Sequence, residues 1–220
     1  MIDLHTHTIL SDGELIPSEL VRRAAVIGYR AIAITDHGDA SNLEFIIPKI
    51  VKVARELNNH TTVTVIPGIE ITHVPPELIG EIVVEARKMG ARIVVVHGET
   101  IVEPVQEGTN RAAIEAGVNI LAHPGLISEE DIIRARVQGV ALEISARGGH
   151  SLSNGYVAKE AVRLGASLVI NTDTHSPNNL INRERAFKIG LAAGLSAEAV
   201  QQCMRHSEEL VRRALNSESE

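Results

Sequence analysis

Nine imidazole and carboxylate groups sit where short β-branched runs of this chain stop. His5 and His7 open it as a His-x-His pair, and Asp12 lies in the loop just after them. His37 closes Thr35-Asp36-His37, and Glu70 closes Pro67-Gly68-Ile69-Glu70. His97 follows Val96, His123 begins His123-Pro124-Gly125, and Asp173 and His175 repeat the spacing of two. Imidazole and carboxylate together suit zinc, iron or manganese. Nine such groups exceed what one ion can use, so the pattern points to several ions and to metal-assisted hydrolysis. A lone histidine is usually a surface or hydrogen-bonded structural group. The weight comes from strand after strand delivering a ligand at the same end.

The elements that must position these groups alternate along the whole chain. Strands are expected at residues 1–5, 30–35, 62–69, 92–96, 119–122, 140–144 and 167–171. Amphipathic helices are expected at 17–27, 42–57, 76–89, 109–116, 128–137, 152–164, 182–193 and 197–216. Five helices run into Gly28, Gly90, Gly117, Gly139 or Gly165, a residue that tolerates the left-handed conformation of a helix end. Seven βα units with short connections imply parallel strands covered by helices. An open sheet would spread the ligands across its width, whereas closure brings them to one mouth. The expected fold is therefore α/β, a distorted seven-stranded parallel (βα)7 barrel of the TIM type. It forms one domain over 1–215, with 216–220 as a frayed polar tail.

Composition narrows the function. The chain has 220 residues and a formal net charge of −7, with 2% aromatic residues and no tryptophan. Single-stranded nucleic-acid binding needs aromatic platforms, and backbone binding needs basic runs, so nucleic acid is not expected as a partner. The one cysteine, Cys203, falls in a helix and reads as a small buried apolar residue. The N-terminal residues lack a leader pattern, and no apolar run approaches the about 18 residues that span a membrane. A cytoplasmic location is expected.

The ordered set from His5-Thr6-His7 to Asp173-Thr174-His175 resembles the PHP (polymerase and histidinol phosphatase) superfamily of metal-dependent phosphoesterases, over essentially the full length. The resemblance implies a (βα)7 barrel and three divalent metal ions, zinc, manganese or iron. It places His5, His7, Glu70 and Asp173 on the first ion. Glu70, His97 and His123 fall on the second, with Glu70 bridging, and Asp12, His37 and His175 on the third. Some members carry histidine at the Asp12 position, so aspartate there favours a harder ion. The implied activity is hydrolysis of a phosphate ester by metal-activated hydroxide, with a small phosphorylated metabolite such as histidinol phosphate as the natural partner. The alternatives are a non-catalytic subunit of a nucleic-acid-processing assembly and an amidohydrolase-type C–N hydrolase. The latter usually has a bridging lysine where Glu70 stands here.

The 140–144 strand offers no ligand, which frees the loop Ser145-Ala146-Arg147-Gly148-Gly149-His150-Ser151 for substrate. Arg147 can make a bidentate phosphate contact, and Gly148 and Gly149 let backbone amides approach. His150 can donate a proton to the leaving group, and with Glu70 it completes the expected catalytic pair. His73 and Glu99 could border the mouth, although solvated loop positions would suit both. Arg183 and Arg185 could approach phosphate from a helix start, although a helix-surface role is favoured. Asp3 shares the strand parity of His5 and is expected deeper in the barrel, while Asp36 should point away from the metals.

Overall fold

The computed structural model describes residues 1–216. Seven parallel staves form a nearly closed barrel. They are β1 (Ile2–Asp3), β2 (Ala31–Ile34) continued by β3 (His37–Gly38), β4 (Thr64–Ile71), β5 (Ile93–His97), β6 (Ile120–Ala122), β7 (Ala141–Ser145) and β8 (Leu168–Asn171). β2 and β3 both pair with β4, so they are one stave interrupted at Thr35-Asp36. Neighbours pair in the order β1-β2-β4-β5-β6-β7-β8. The seam between β8 and β1 closes through a parallel bridge, Thr6 to Thr174, and through the Leu4 N–H donating to Asn171 Oδ1 at 3.0 Å.

Eight helices follow the staves, from α1 (Pro17–Val26), α2 (Leu43–Asn58), α3 (Pro76–Lys88) and α4 (Thr109–Glu115) to α5 (Glu129–Gln138), α6 (Asn154–Leu164), α7 (Arg183–Ala192) and α8 (Ala197–Asn216). All five glycines expected to end helices adopt positive φ. Asn216 ends α8, so of the expected tail only that residue lies within the described chain. No described helix is long and apolar enough to cross a membrane.

Two aliphatic layers hold the barrel. Ala33, Ile66, Ile93, Val95, Ile120, Ala141 and Val169 fill the interior, and Leu210 and Ala214 of α8 join them. The alternate strand residues, such as Ile32, Val94, Leu142 and Ile170, pack against the helices. Period-two alternation sorts the two sets. Each fully buried isoleucine or leucine is worth roughly 1.5–3 kcal/mol. Cys203 is buried among these residues on α8.

The rim of the barrel needs two glycines for close packing. A Cβ on Gly98 would stand 2.3 Å from the Ala122 carbonyl oxygen. One on Gly125, whose φ is +62°, would stand 1.9 Å from the Glu99 carbonyl oxygen. These contacts press the loops after β5 and β6 together and fix His97 and His123 beside each other. Gly125→Ala is expected to cost about 3 kcal/mol. That corresponds to a fall of about 6–12 °C in melting temperature, measured by calorimetry.

Candidate metal centre

All nine residues singled out by spacing converge on the C-terminal mouth of the barrel, and most are inaccessible to water. The first expected group closes tightly. His5 Nε2 lies 3.2 Å from Glu70 Oε1 and 3.7 Å from Asp173 Oδ1. His7 Nε2 lies 3.5 Å from Glu70 Oε2 and 3.2 Å from Asp173 Oδ1. In the third group, Asp12 Oδ1 stands 3.4 Å from His37 Nε2 and 3.2 Å from His175 Nε2, and the His7 ring stacks on His175. In the second, His123 Nε2 approaches Glu70 Oε1 at 3.7 Å, and His97 gathers with His123 and His150 within ligand-sharing distance. His150 thus stands among metal-capable donors, with its ring stacked on His123 and its Nδ1 2.9 Å from Thr100 Oγ1.

The donor chemistry fits several cations. Both carboxylate oxygens of Glu70, both ring nitrogens of His7, His5 Nε2 and His123 Nδ1 are buried without a hydrogen-bond partner. Buried polar atoms are ordinarily satisfied, and leaving one bare costs about 1–3 kcal/mol. Six such atoms on four residues gathered at one mouth form a donor set that divalent ions would satisfy. Charge reads the same way. Burial opposes the charged form at His5, but the Glu143 and Glu70 carboxylates raise its pKa well above the usual value. At His37 burial is likewise outweighed, chiefly by Glu70, and the pKa rises to about 10. Burial pushes His7 down to about 4 and His123 well below its ordinary value. Burial also resists charge on Glu70, yet the imidazoles His5 and His37 hold it well below the carboxylate range. Cations would replace the protons carried by His5 and His37.

Backbone strain is concentrated at the same place. His73, His123 and Asp173 are the non-glycine residues with positive φ among the described residues, at 52°, 27° and 52°. Such conformations cost about 1–3 kcal/mol each and persist where function requires them.

Several residues act differently from expectation. Asp3 does not lie beneath His5 inside the barrel. β1 ends at Asp3 and the alternation breaks, so Ile2 and Leu4 pack with the interior cluster while His5 still reaches the mouth. Asp3 instead accepts from Thr172 Oγ1 at 2.6 Å and from Tyr29 Oη at 3.4 Å. Burial raises its pKa to about 6. Asp36 points away from the cage, as parity requires, and accepts from the N–H and hydroxyl groups of Thr8 and Ser11. It thereby pins the loop that carries Asp12. Glu99 is not free for substrate, because its carboxylate accepts from the Gly108 and Asn110 N–H groups. Arg183 faces a different cavity, near Met204 and the start of β1. Arg147 reaches the mouth, donating to the Asp173 carbonyl at 3.1 Å and contacting His175 Nδ1. Gly148 lies beside it at the edge of a neighbouring cavity, and Gly149 turns the loop with φ +89°.

Two acids escaped the sequence analysis. Glu103 at the mouth meets His97 Nε2 at 3.1 Å, His73 Nε2 at 3.3 Å and His150 Nε2 at 3.4 Å. Nothing in its loop sequence marks it. Glu143 is fully buried on β7 and lies 2.8 Å from His5 Nδ1, with Asn171 Nδ2 donating to it at 3.0 Å. Its signal was a lone acid in the apolar run Val140-Ala141-Leu142-Glu143-Ile144.

A parallel barrel whose C-terminal rim carries a cage of imidazoles and carboxylates defines a class of metal-site barrels. The PHP domain model matches residues 3–122, and the chain belongs to the PHP-domain family. It is 49% identical to an uncharacterized protein of Methanocaldococcus jannaschii, over 96% of this chain and 98% of that one. It is 30% identical to a probable phosphatase of Shewanella sp. (strain MR-4), over 86% of this chain and 81% of the relative. Two solved structures share the fold at 17% identity. One is a chain of an archaeal ribonuclease P complex with mature tRNA, with TM-score 0.75, covering 97% of this chain and 91% of that one. The other is a histidinol phosphate phosphatase of Lactococcus lactis in complex with zinc, L-histidinol and phosphate, with TM-score 0.57, covering 95% and 93%.

Glu143 fixes the tautomer of His5, leaving Nε2 free to ligate. Glu143→Gln is expected to lower metal affinity about 10–100-fold, read by competition with a chromogenic chelator. Saturating the unsubstituted protein with zinc or manganese at 100 times the dissociation constant should add about 2.7 kcal/mol of stability. Chelator should reverse the resulting rise in melting temperature.

Proposed function

We propose that this chain is a metal-dependent phosphomonoesterase of small phosphorylated metabolites, similar in chemistry to histidinol phosphate phosphatase. The observation that carries this reading is the cage of unpartnered buried donors shared by His5, His7, Glu70 and His123. His5, His7, Glu70 and Asp173 would hold one ion. Glu70, His97 and His123 would hold a second, and Asp12, His37 and His175 a third. Zinc, manganese and iron all suit such donors. The ions supply positive charge that activates water near neutral pH and offsets the phosphoryl oxygens.

The chain's own residues supply orientation. Arg147 stands over Asp173 at the mouth and offers a guanidinium to a phosphoryl oxygen. Hydrolysis adds water across the P–O ester bond: the hydroxyl goes to phosphorus and the proton to the leaving alcohol. His150, beside His123 and Glu103, faces that alcohol and passes the proton. Glu70, whose two carboxylate oxygens face His5, His7 and His37, would be shared between the first two ions.

The likeness to the ribonuclease P chain raises a second reading, a protein subunit of an RNA-processing particle. Such a subunit gains nothing from a complete donor set or from strained backbone at His123 and Asp173, and the chain is acidic. A C–N hydrolase is disfavoured by the mouth lining, which contains no lysine.

Turnover of p-nitrophenyl phosphate with added manganese or zinc, lost on chelation and restored by metal, is the expected result. Silence of metal-loaded protein toward a broad phosphoester panel would overturn the reading. Glu70→Ala should lose bound metal by elemental analysis and lower kcat about 10³-fold or more. Unchanged metal content in that variant contradicts the bridging role.

A further inference from the structure

The mouth over the cage is small, about 180 Å³, and acids and imidazoles dominate its lining. It accommodates a phosphoryl group, while the remainder of a substrate must lie elsewhere. Beside it runs a larger cavity of about 600 Å³ between the β7–α6 loop and α7. Arg147 lines both spaces and stands between them. The larger one is lined by Arg147 and Arg185 and by no aspartate or glutamate, in a chain whose acids outnumber its lysines and arginines.

Arg185 is exposed and makes no ion pair among the described residues, so its guanidinium is available at the cavity. No carboxylate of the described residues lies within ion-pair distance of its guanidinium, and the adjacent Glu184 is engaged with Lys188 at 2.7 Å. Its own backbone N–H is capped by Asn182 Oδ1 at 2.9 Å. It occupies the first turn of α7, where the helix dipole favours an acid over a base. Asn179, which also lines the cavity, holds the His175 and Ser176 N–H groups with its Oδ1, and its amide NH2 remains unspent. Ile181, Ile189 and Ala193 add apolar surface to a lining that also carries the polar side chains of Ser151, Asn154 and Asn178.

Resting on the phosphomonoesterase reading, we propose that this cavity is a subsite for the leaving group, and that it selects phosphoesters whose leaving group carries a second anionic oxo group. Arg185 receives that group as a planar fork of donors, Asn179 donates beside it, and the apolar wall supports the carbon skeleton between the two anions. Arg147 stands at the junction, where the scissile phosphoryl group meets the rest of the substrate.

Two matched pairs of substrates test the assignment with manganese-loaded protein. Fructose 1,6-bisphosphate against fructose 6-phosphate reads a second phosphate, and 3-phosphoglycerate against glycerol 3-phosphate reads a carboxylate. The expected result is a preference in kcat/KM for the doubly anionic member of at least one pair. Which pair shows it tells phosphate from carboxylate. Arg185→Gln should reduce that preference about ten-fold, mainly through KM. Lys188→Gln removes the same charge from the outer face of the same helix and should leave the preference intact. A wild-type protein without preference in either pair, or an Arg185→Gln variant that keeps it, overturns the subsite while leaving the phosphatase reading standing. If none of the four compounds is turned over, p-nitrophenyl phosphate and the broad phosphoester panel decide the phosphatase reading. Calorimetric binding of the same compounds to wild type and Arg185→Gln then decides the subsite: tighter binding of the dianionic member that the variant loses upholds it, and equal binding sinks it.

Discussion

Two carboxylates, Glu70 and Asp173, are buried at the mouth of an aliphatic barrel, and their charge must be balanced there. Removing an ion from water costs several kcal/mol even after relaxation. Among the described residues no arginine or lysine is fully buried with them, and the half-buried Arg147 approaches Asp173 Oδ2 at 3.6 Å. Imidazoles surround them instead, and in the absence of cations two of these, His5 and His37, gain affinity for protons. A proton on each is a poor substitute for a divalent ion, because ring nitrogens of His7 and His123 still face the cage with nothing to bond. The donor set fits cations, and the rest of the fold can be understood as keeping it open.

Keeping it open takes a second layer of acids that never enter the cage. Asp36 holds the loop bearing Asp12, Glu99 ties the β5 loop to the start of α4, and Glu143 orients His5 from below. Each uses its charge on N–H or imidazole donors, which is where carboxylates are strongest. The positive-φ conformations of His123 and Asp173 are affordable because these anchors and the close glycine contacts at Gly98 and Gly125 fix the backbone on either side. His73 shares that strain and turns its ring toward Glu103, so the mouth's outer edge is organised by the same means as its floor.

The staves and helices were legible in the sequence because period-two and period-3.6 patterns are local, and positive-φ glycines punctuate them. The nine candidate donors could be picked out because eight lie at or just beyond a strand end and Asp12 lies in the loop that follows, and the fold brings all of them to one mouth. Features that depend on where a loop goes were not legible. Glu103 is far in sequence from His73 and His150, and only folding brings them together. The parity of Asp3 with His5 misled because alternation was carried two residues past the end of β1, although the carboxyl does make buried polar contacts. Glu99 looked free because its partners, the N–H groups of Gly108 and Asn110, belong to a helix start nine and eleven residues away.

The one stave without a cage ligand gives the site its polarity. β7 ends in Ser145, and the chain then turns outward through Arg147 before His150 returns to the donors at the mouth. On one side of Arg147 lie acids and imidazoles that call for cations. On the other lies a cavity with arginine and no acid. A neutral or cationic leaving group would gain nothing from that second space, and an anionic one would be repelled by the acids of the cage unless cations or Arg185 screened them. On the proposed reading, recruitment of a molecule with two anionic groups would depend on cage and cavity together: cations would draw one end and guanidinium the other, and the chain's net negative charge would disfavour any other resting place.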